Sequence, residues 1–240
     1  MFFYLLSLIM LSRLYSLFRD EAITLFKLVI MMAIQLFFLM FINLTFELFV
    51  LMVILFSIGL IELFIEKKSA RLNLIRFILF LILIIISLFF SRGAGLTFNN
   101  WCLSLAQDTF REFNPEMNIS ISGLHLIIIL TGIFFLLNEA NFFIRFIFEI
   151  SGKIPVTKTN EPDKTELNAG RIIGILERLI IFFFVTVGQF AAVGFVIAAK
   201  SIVRYRELEN RNFAEYVLIG TLLSSLLAIL TGFAAARLLS

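Results

Sequence analysis

The stretch Phe77-Ile-Leu-Phe-Leu-Ile-Leu-Ile-Ile-Ile-Ser-Leu-Phe-Phe90 carries no charge and no turn-forming residue. Extended outward to Asn73 and Ser91, it approaches the roughly 20 residues that a helix needs to cross ~30 Å of hydrocarbon. The rest of the chain has the same character. Of 240 residues, 61% are hydrophobic and 15% charged, and the mean hydropathy is +1.04. A soluble domain is nearer half apolar and a quarter charged, and one of this size could not hide so much hydrocarbon from water. The 31 Phe residues come with Leu and Ile in runs, not at alternating positions. The expected fold is an all-α polytopic membrane protein with about six transmembrane helices plus interfacial helices.

Working outward, Ala22–Ile42 and Leu48–Ile65 read as the spans before this one, joined by Asn43-Leu-Thr-Phe-Glu47. Residues 1–18 are apolar but interrupted by Arg13 and by Phe18-Arg-Asp-Glu21, so an interfacial helix or a short first span is expected there. Lys27 is expected to snorkel to the headgroups. Residues 92–122 carry turn signals, with Trp101–Phe113 as a short amphipathic surface helix. Leu124–Asn138 is the fourth span. It runs into the amphipathic Glu139–Ile150, which is expected to lie along the interface. Ser151–Gly170 is a polar linker. Arg171–Lys200 is the fifth span and Phe213–Leu239 the sixth. The domain reading is therefore residues 1–150, a linker at 151–170, and a two-span module at 171–240, within one membrane domain.

Several chemistries are excluded by counting. One Cys, Cys102, cannot supply a disulfide framework or a Cys-based metal site. One His, His125, cannot make a two-His site, and no triad or phosphate-loop pattern accompanies it. No cofactor, metal or catalytic constellation is expected. The net charge of +3 comes from Lys and Arg scattered among apolar segments. It reads as topology and lipid contact, not nucleic-acid binding.

Lys and Arg favour the cytoplasmic side. Lys67, Lys68, Arg71 and Arg76 place 66–76 inside, and Lys153, Lys158, Lys164, Arg171 and Arg178 place 151–178 inside. A single crossing by the fifth span then puts Lys200, Arg204, Arg206 and Arg211 outside, against the rule. A re-entrant segment broken at Gly188-Gln189 would satisfy it. Two residues are a short connection for a helical hairpin, so one kinked crossing is the expectation and re-entry the alternative. On that expectation, the polar ends Glu177-Arg178 and Lys200 stand about 33 Å apart as headgroup anchors.

Ionisable or polar groups at depth are functional candidates. Gln189 lies mid-span and needs a partner across a helix interface or a water-filled path. Glu177, Arg178, Lys200, Arg204 and Glu215 complete the candidate pore or polar interface. Glu62 lies one turn from Glu66-Lys-Lys68 and is expected at the interface. In the sixth span Gly220, Ser224, Ala228, Gly232 and Ala236 recur every four residues, a stripe that lets another helix approach closely, within the chain or in a second copy.

The run Gly170-Arg-Ile-Ile-Gly174-Ile-Leu-Glu177-Arg178, Gly188-Gln189, Gly194–Ser201, Arg204, Glu207-Leu208 and Ala214–Ser224 resembles a C-terminal module of an uncharacterised family of bacterial polytopic membrane proteins, a domain of unknown function. The resemblance covers about residues 168–232. It implies a bacterial inner (cytoplasmic) membrane location and supplies no catalytic assignment.

The expected function is a transport or pore-forming membrane subunit, in a gated version an effector, acting as a homo-oligomer in the lipid bilayer. The alternative is a structural anchor that holds a soluble cytoplasmic partner protein through Ser151–Gly170 and Ser201–Asn212. A lipid-modifying enzyme using His125, Glu139 and Arg145 is the weakest of the three readings.

Overall fold

A computed structural model describes residues 1–17, 23–69, 72–93, 95–101, 104, 119–151, 164–203 and 211–240. Among these every regular element is helical. They are α1 (Phe2–Ser12), a 3-10 turn (Arg13–Ser16), α2 (Leu25–Leu39), α3 (Phe46–Lys68), α4 (Leu72–Arg92), α5 (Ile119–Phe134), a π turn (Phe135–Glu139), α6 (Ala140–Ile150), α7 (Lys164–Thr186), α8 (Phe190–Val203) and α9 (Arg211–Leu239). Most of Trp101–Phe113, of the 151–170 linker and of the 201–212 connection, Arg204 included, lies outside the described residues.

Among the described residues, four helical segments are long and apolar enough to cross a membrane: Phe46–Lys68, Leu72–Arg92, Gly123–Ile150 and Val217–Leu239. The protein is an integral membrane protein with these four as its candidate spans. The expected Ala22–Ile42 span is instead a 15-residue helix, Leu25–Leu39. Its flanks are held by other bonds. Ile23 N–H donates to Glu66 Oε2 at 2.8 Å. Ile42 pairs with Phe98 in an isolated bridge, with Asn43 N–H to Thr97 O at 3.0 Å and Asn99 N–H to Phe41 O at 2.9 Å.

The chain divides into two compact units, Met1–Phe134 and Phe135–Ser240. In the first, α1 is apolar on all sides, which suits a helix enclosed by others. Leu5, Leu8 and Ile9 pack with Leu39 and Ile42, with Leu48, Leu51 and Leu55 of α3, and with Leu83 and Phe90 of α4. Thr131 Oγ1 of α5 reaches Phe3 O at 3.2 Å. Helix α3 starts where its sequence says it should. Thr45 caps it by accepting from Leu48 N–H at 3.3 Å. Glu47 lies in its first turn and Lys67-Lys68 in its last, matching the helix dipole.

Polarity in this unit is inverted relative to a soluble protein. Arg13, Glu62, Glu66 and Arg76 are each 2% exposed, whereas Phe64 is 70% and Phe89 68% exposed. Charge inside and aromatic carbon outside is the arrangement a hydrocarbon solvent favours.

In the second unit α9 lies along α7. A Cβ added at Gly232 would stand 2.7 Å from Val185 Cγ1 and 3.3 Å from Phe182 O. Ser224, eight residues before Gly232, meets Arg178, seven residues before Val185 on α7. Contacts that advance in the same direction on both helices make α7 and α9 parallel. The small stripe is thus filled within the chain: Ser224, Ala228 and Gly232 are buried against the unit, and Gly220 sits by Phe148.

Gly232→Ala is expected to lower stability by about 1–3 kcal/mol through overpacking, read as a lower thermal midpoint in detergent. A Cβ at Gly194 meets nothing within 4 Å, so Gly194→Ala is expected to leave the midpoint unchanged or slightly raised.

Candidate functional site

The fifth apolar run, Arg171–Lys200, is not one kinked crossing. Helix α7 stops at Thr186 and α8 starts at Phe190. Gly188 sits at φ +75°, in the left-handed region. Its N–H donates to Val185 O at 3.0 Å, and Gln189 N–H donates to Phe184 O at 2.8 Å. This pair of bonds is a Schellman motif, with glycine at the position that needs positive φ. Gln189 O at once accepts from Ala192 N–H at 3.2 Å and Val193 N–H at 3.4 Å, starting α8. Two short turns thus share three residues, which is enough for a helical hairpin. The expectation that the connection was too short is corrected on this ground.

The far end of the hairpin closes with charge. Lys200 Nζ of α8 donates to Glu177 Oε2 of α7, both partly buried. Glu177 and Lys200 therefore stand side by side, not at opposite ends of a 33 Å rod. Phe190 at the start of α8 stacks on Phe233 of α9, with ring centroids 5.5 Å apart and planes at 21°. Val187, Gly188, Gln189 and Phe190, the apex, are all exposed.

Arg178, next to Glu177, points elsewhere because neighbours on a helix do not share a face. It is 3% exposed. Its Nε donates to Leu136 O at 3.0 Å, Nη2 to Asn141 Oδ1 at 2.7 Å and Nη1 to Ser224 Oγ at 3.2 Å. Leu136 belongs to the π turn, whose wider bonding pattern releases main-chain carbonyls from the α-helical ladder. Asn141 Nδ2 meanwhile donates to Leu137 O at 3.0 Å, so both ends of this amide are assigned. Asn138 and Glu139 of the π turn are buried, and Asn138 Nδ2 reaches Glu139 Oε1 at 3.3 Å. At Asn138 the chain stays helical, within the continuous apolar segment Gly123–Ile150, and turns its polar groups inward.

The sequence-derived candidates thus separate. Glu177 meets Lys200, and Arg178 meets Ser224 of the stripe. Gln189 is exposed at the apex, Glu215 lies near the start of α9 half-buried, and Arg204 is outside the described residues. Ala236 is half-buried at the end of the stripe.

A second polar cluster, in the Met1–Phe134 unit, escaped the sequence reading. Arg76 grips Glu66 with Nε at 2.6 Å and Nη2 at 3.0 Å, and Ile23 N–H completes the carboxylate's shell. Arg13 Nη2 donates to Arg76 O at 2.9 Å, and Arg13 Nη1 lies 3.5 Å from Glu62 Oε1. Glu62 is thus a core residue, not an interfacial one, and Lys27 is buried instead of reaching outward along the surface. The available signal was Glu62 and Glu66 at helical spacing on one face of α3, with Arg13 and Arg76 in neighbouring apolar helices.

No group of His, Cys, Asp and Glu able to hold a metal ion occurs among the described residues. No family model matches the chain, and neither the curated proteins nor the solved structures contain a significant match to it.

Arg178→Lys is expected to cost about 1–3 kcal/mol, since an ammonium cannot reproduce the three-way fork and leaves buried acceptors unmet. Glu66→Gln is expected to cost about 3–5 kcal/mol, because it breaks a buried ion pair in which the carboxylate takes two Arg76 bonds and the Ile23 N–H. Denaturant titration in mixed micelles, with Glu47→Gln at a half-buried position in the first turn of α3 as the comparison, reads both.

Proposed function

We propose that the chain is a subunit of a membrane transport or pore complex, in which the α7–α8 hairpin enters the bilayer from one side, turns at Val187–Gln189 and returns. The observation that carries this reading is the exposed, Schellman-closed apex lying opposite the Glu177–Lys200 pair. Each arm, Glu177 to Thr186 and Phe190 to Lys200, is about 15 Å long at helical rise. That is half of a ~30 Å hydrocarbon core, so a hairpin whose charged base sits among headgroups brings its apex near the midplane.

Non-helical backbone at that depth is tolerated only where protein covers it or where it lines a wet cavity. The apex is uncovered in its own unit, which supports a water-lined path formed with a second copy of the chain. Discontinuous helices that meet near the midplane are a recurrent way to place a polar site in a transporter.

The charge distribution supports the same topology. With a re-entrant hairpin, 151–178 and 200–211 fall on one side, and their Lys and Arg residues satisfy the positive-inside rule together. Helix α9, parallel to α7, then crosses fully from the cytoplasmic side. A bacterial inner-membrane location rests on the family resemblance of residues 168–232.

Two measurements test the reading. In a Cys102→Ser background, Gly170→Cys and Ser201→Cys are expected to react with a membrane-impermeant maleimide from the same side; labelling from opposite sides overturns the hairpin topology. In proteoliposomes, wild-type protein is expected to pass small ions above the level of empty vesicles, and Gln189→Leu to reduce that flux several-fold. Flux equal in the two proteins, or absent from both, overturns the transport role.

A further inference from the structure

Two carboxylates of α3 lie buried in the Met1–Phe134 unit. Glu66 is closed by two Arg76 bonds and one backbone N–H, all at 3.0 Å or less. Glu62, one turn earlier, faces Arg13 Nη1 at 3.5 Å, beyond the usual 2.7–3.2 Å range for N–H···O, roughly the point at which a bridging water becomes the better description. A small cavity of about 10 Å³ opens at this place, lined by Arg13, Gln35 and Glu62 with Met31 and Gly59 among its apolar walls. One water needs on the order of 10–15 Å³ of such space and two to four polar partners.

Gln35 shows which partner the cavity presents. Ser12 Oγ donates to Ile9 O at 2.7 Å, so its proton is committed there. The atom of Gln35 lying 3.0 Å from Ser12 Oγ must then be the donor Nε2. That fixes the amide and leaves Oε1 as an acceptor. Gln35 is 6% exposed, and its Oε1 accepts no hydrogen bond from the protein. A buried amide oxygen in that state costs about 1–3 kcal/mol.

We propose that this cavity is a water-binding site, in which one water donates to Gln35 Oε1 and joins it to the Arg13–Glu62 pair. Arg13 and Glu62 are then an ion pair with a water beside it. This site stands independently of the transport reading, since it rests on none of the hairpin residues.

Millisecond X-ray radiolysis of the intact protein in micelles tests the proposal, because hydroxyl radicals made from a bound water oxidise the side chains beside it. Met31 lines the cavity and is 3% exposed, while Met10 is 2% exposed in the core and away from it. Met31 is expected to oxidise several-fold faster than Met10, and Gln35→Leu to bring Met31 down to the Met10 rate. Equal rates at Met31 and Met10 in the wild type overturn the site. A Met31 rate unchanged by Gln35→Leu overturns the assignment of Gln35 Oε1 as its acceptor.

Discussion

The three-way fork of Arg178 is the interaction on which the Phe135–Ser240 unit depends. One guanidinium meets a carbonyl released by the π turn, an amide on α6 and a hydroxyl on α9. Each of those acceptors lies in a different stretch of chain, yet all three are spatially fixed by a planar group with rigidly oriented donors. Placing such a charge in an apolar environment is unfavourable unless its donors are used. The same requirement sets the register of α9, because Ser224 must arrive at Nη1. Once Ser224 is placed, the periodicity of four carries Ala228 and Gly232 onto α7, and only glycine fits against Val185 at the last of these. Helix α7 can then hold its hairpin partner α8 through Glu177 without disturbing α9, since Glu177 and Arg178 face different sides of one helix.

What was legible in the sequence was the set of long uncharged runs. Leu48–Ile65, Asn73–Ser91 and Phe213–Leu239 appear as α3, α4 and α9 with ends shifted by a few residues, because an uninterrupted apolar run of that length satisfies its backbone only as a helix. Helix α2 came out shorter than its apolar run because its flanks spend their backbone groups on Glu66 and on Thr97 and Asn99, bonds that no local pattern announces. The hairpin was within reach: Gly188 is the residue a Schellman turn requires, and Gln189 is well able to begin the next helix. Connection length was weighed as though the turn and the new helix start needed separate residues, and they do not.

The buried charges were hard to read for a different reason. Arg13, Glu62, Arg76 and Arg178 each look expensive when set singly against hydrocarbon, so the economical reading pushed each toward an interface. Their cost falls only when partners from distant helices arrive, and the contacts of Arg178 and Arg13 join residues 37 to 63 positions apart. Periodicity reports which face a residue occupies, never which distant helix covers that face. Glu62 and Glu66 on one face of α3 were therefore visible as a pair, but their two arginines were not.

Two irregular places in the backbone of the second unit show how satisfaction separates structure from function. The π turn frees carbonyls, and Arg178 and Asn141 take them up inside the fold, leaving Asn138 and Glu139 buried beside them. The Schellman turn ties its own main chain, through Gly188 and Gln189 to Val185 and Phe184, and needs no side chain to do so. Its polar side chain, Gln189, is left facing outward at the tip of an otherwise apolar hairpin. A polar irregularity resolved within its unit explains itself by packing. One that resolves its backbone but presents an amide to the surroundings requires something polar opposite it, and in a bilayer that is another protein surface or water. This asymmetry is the physical reason to look for function at the apex of α7–α8 and for architecture around Arg178.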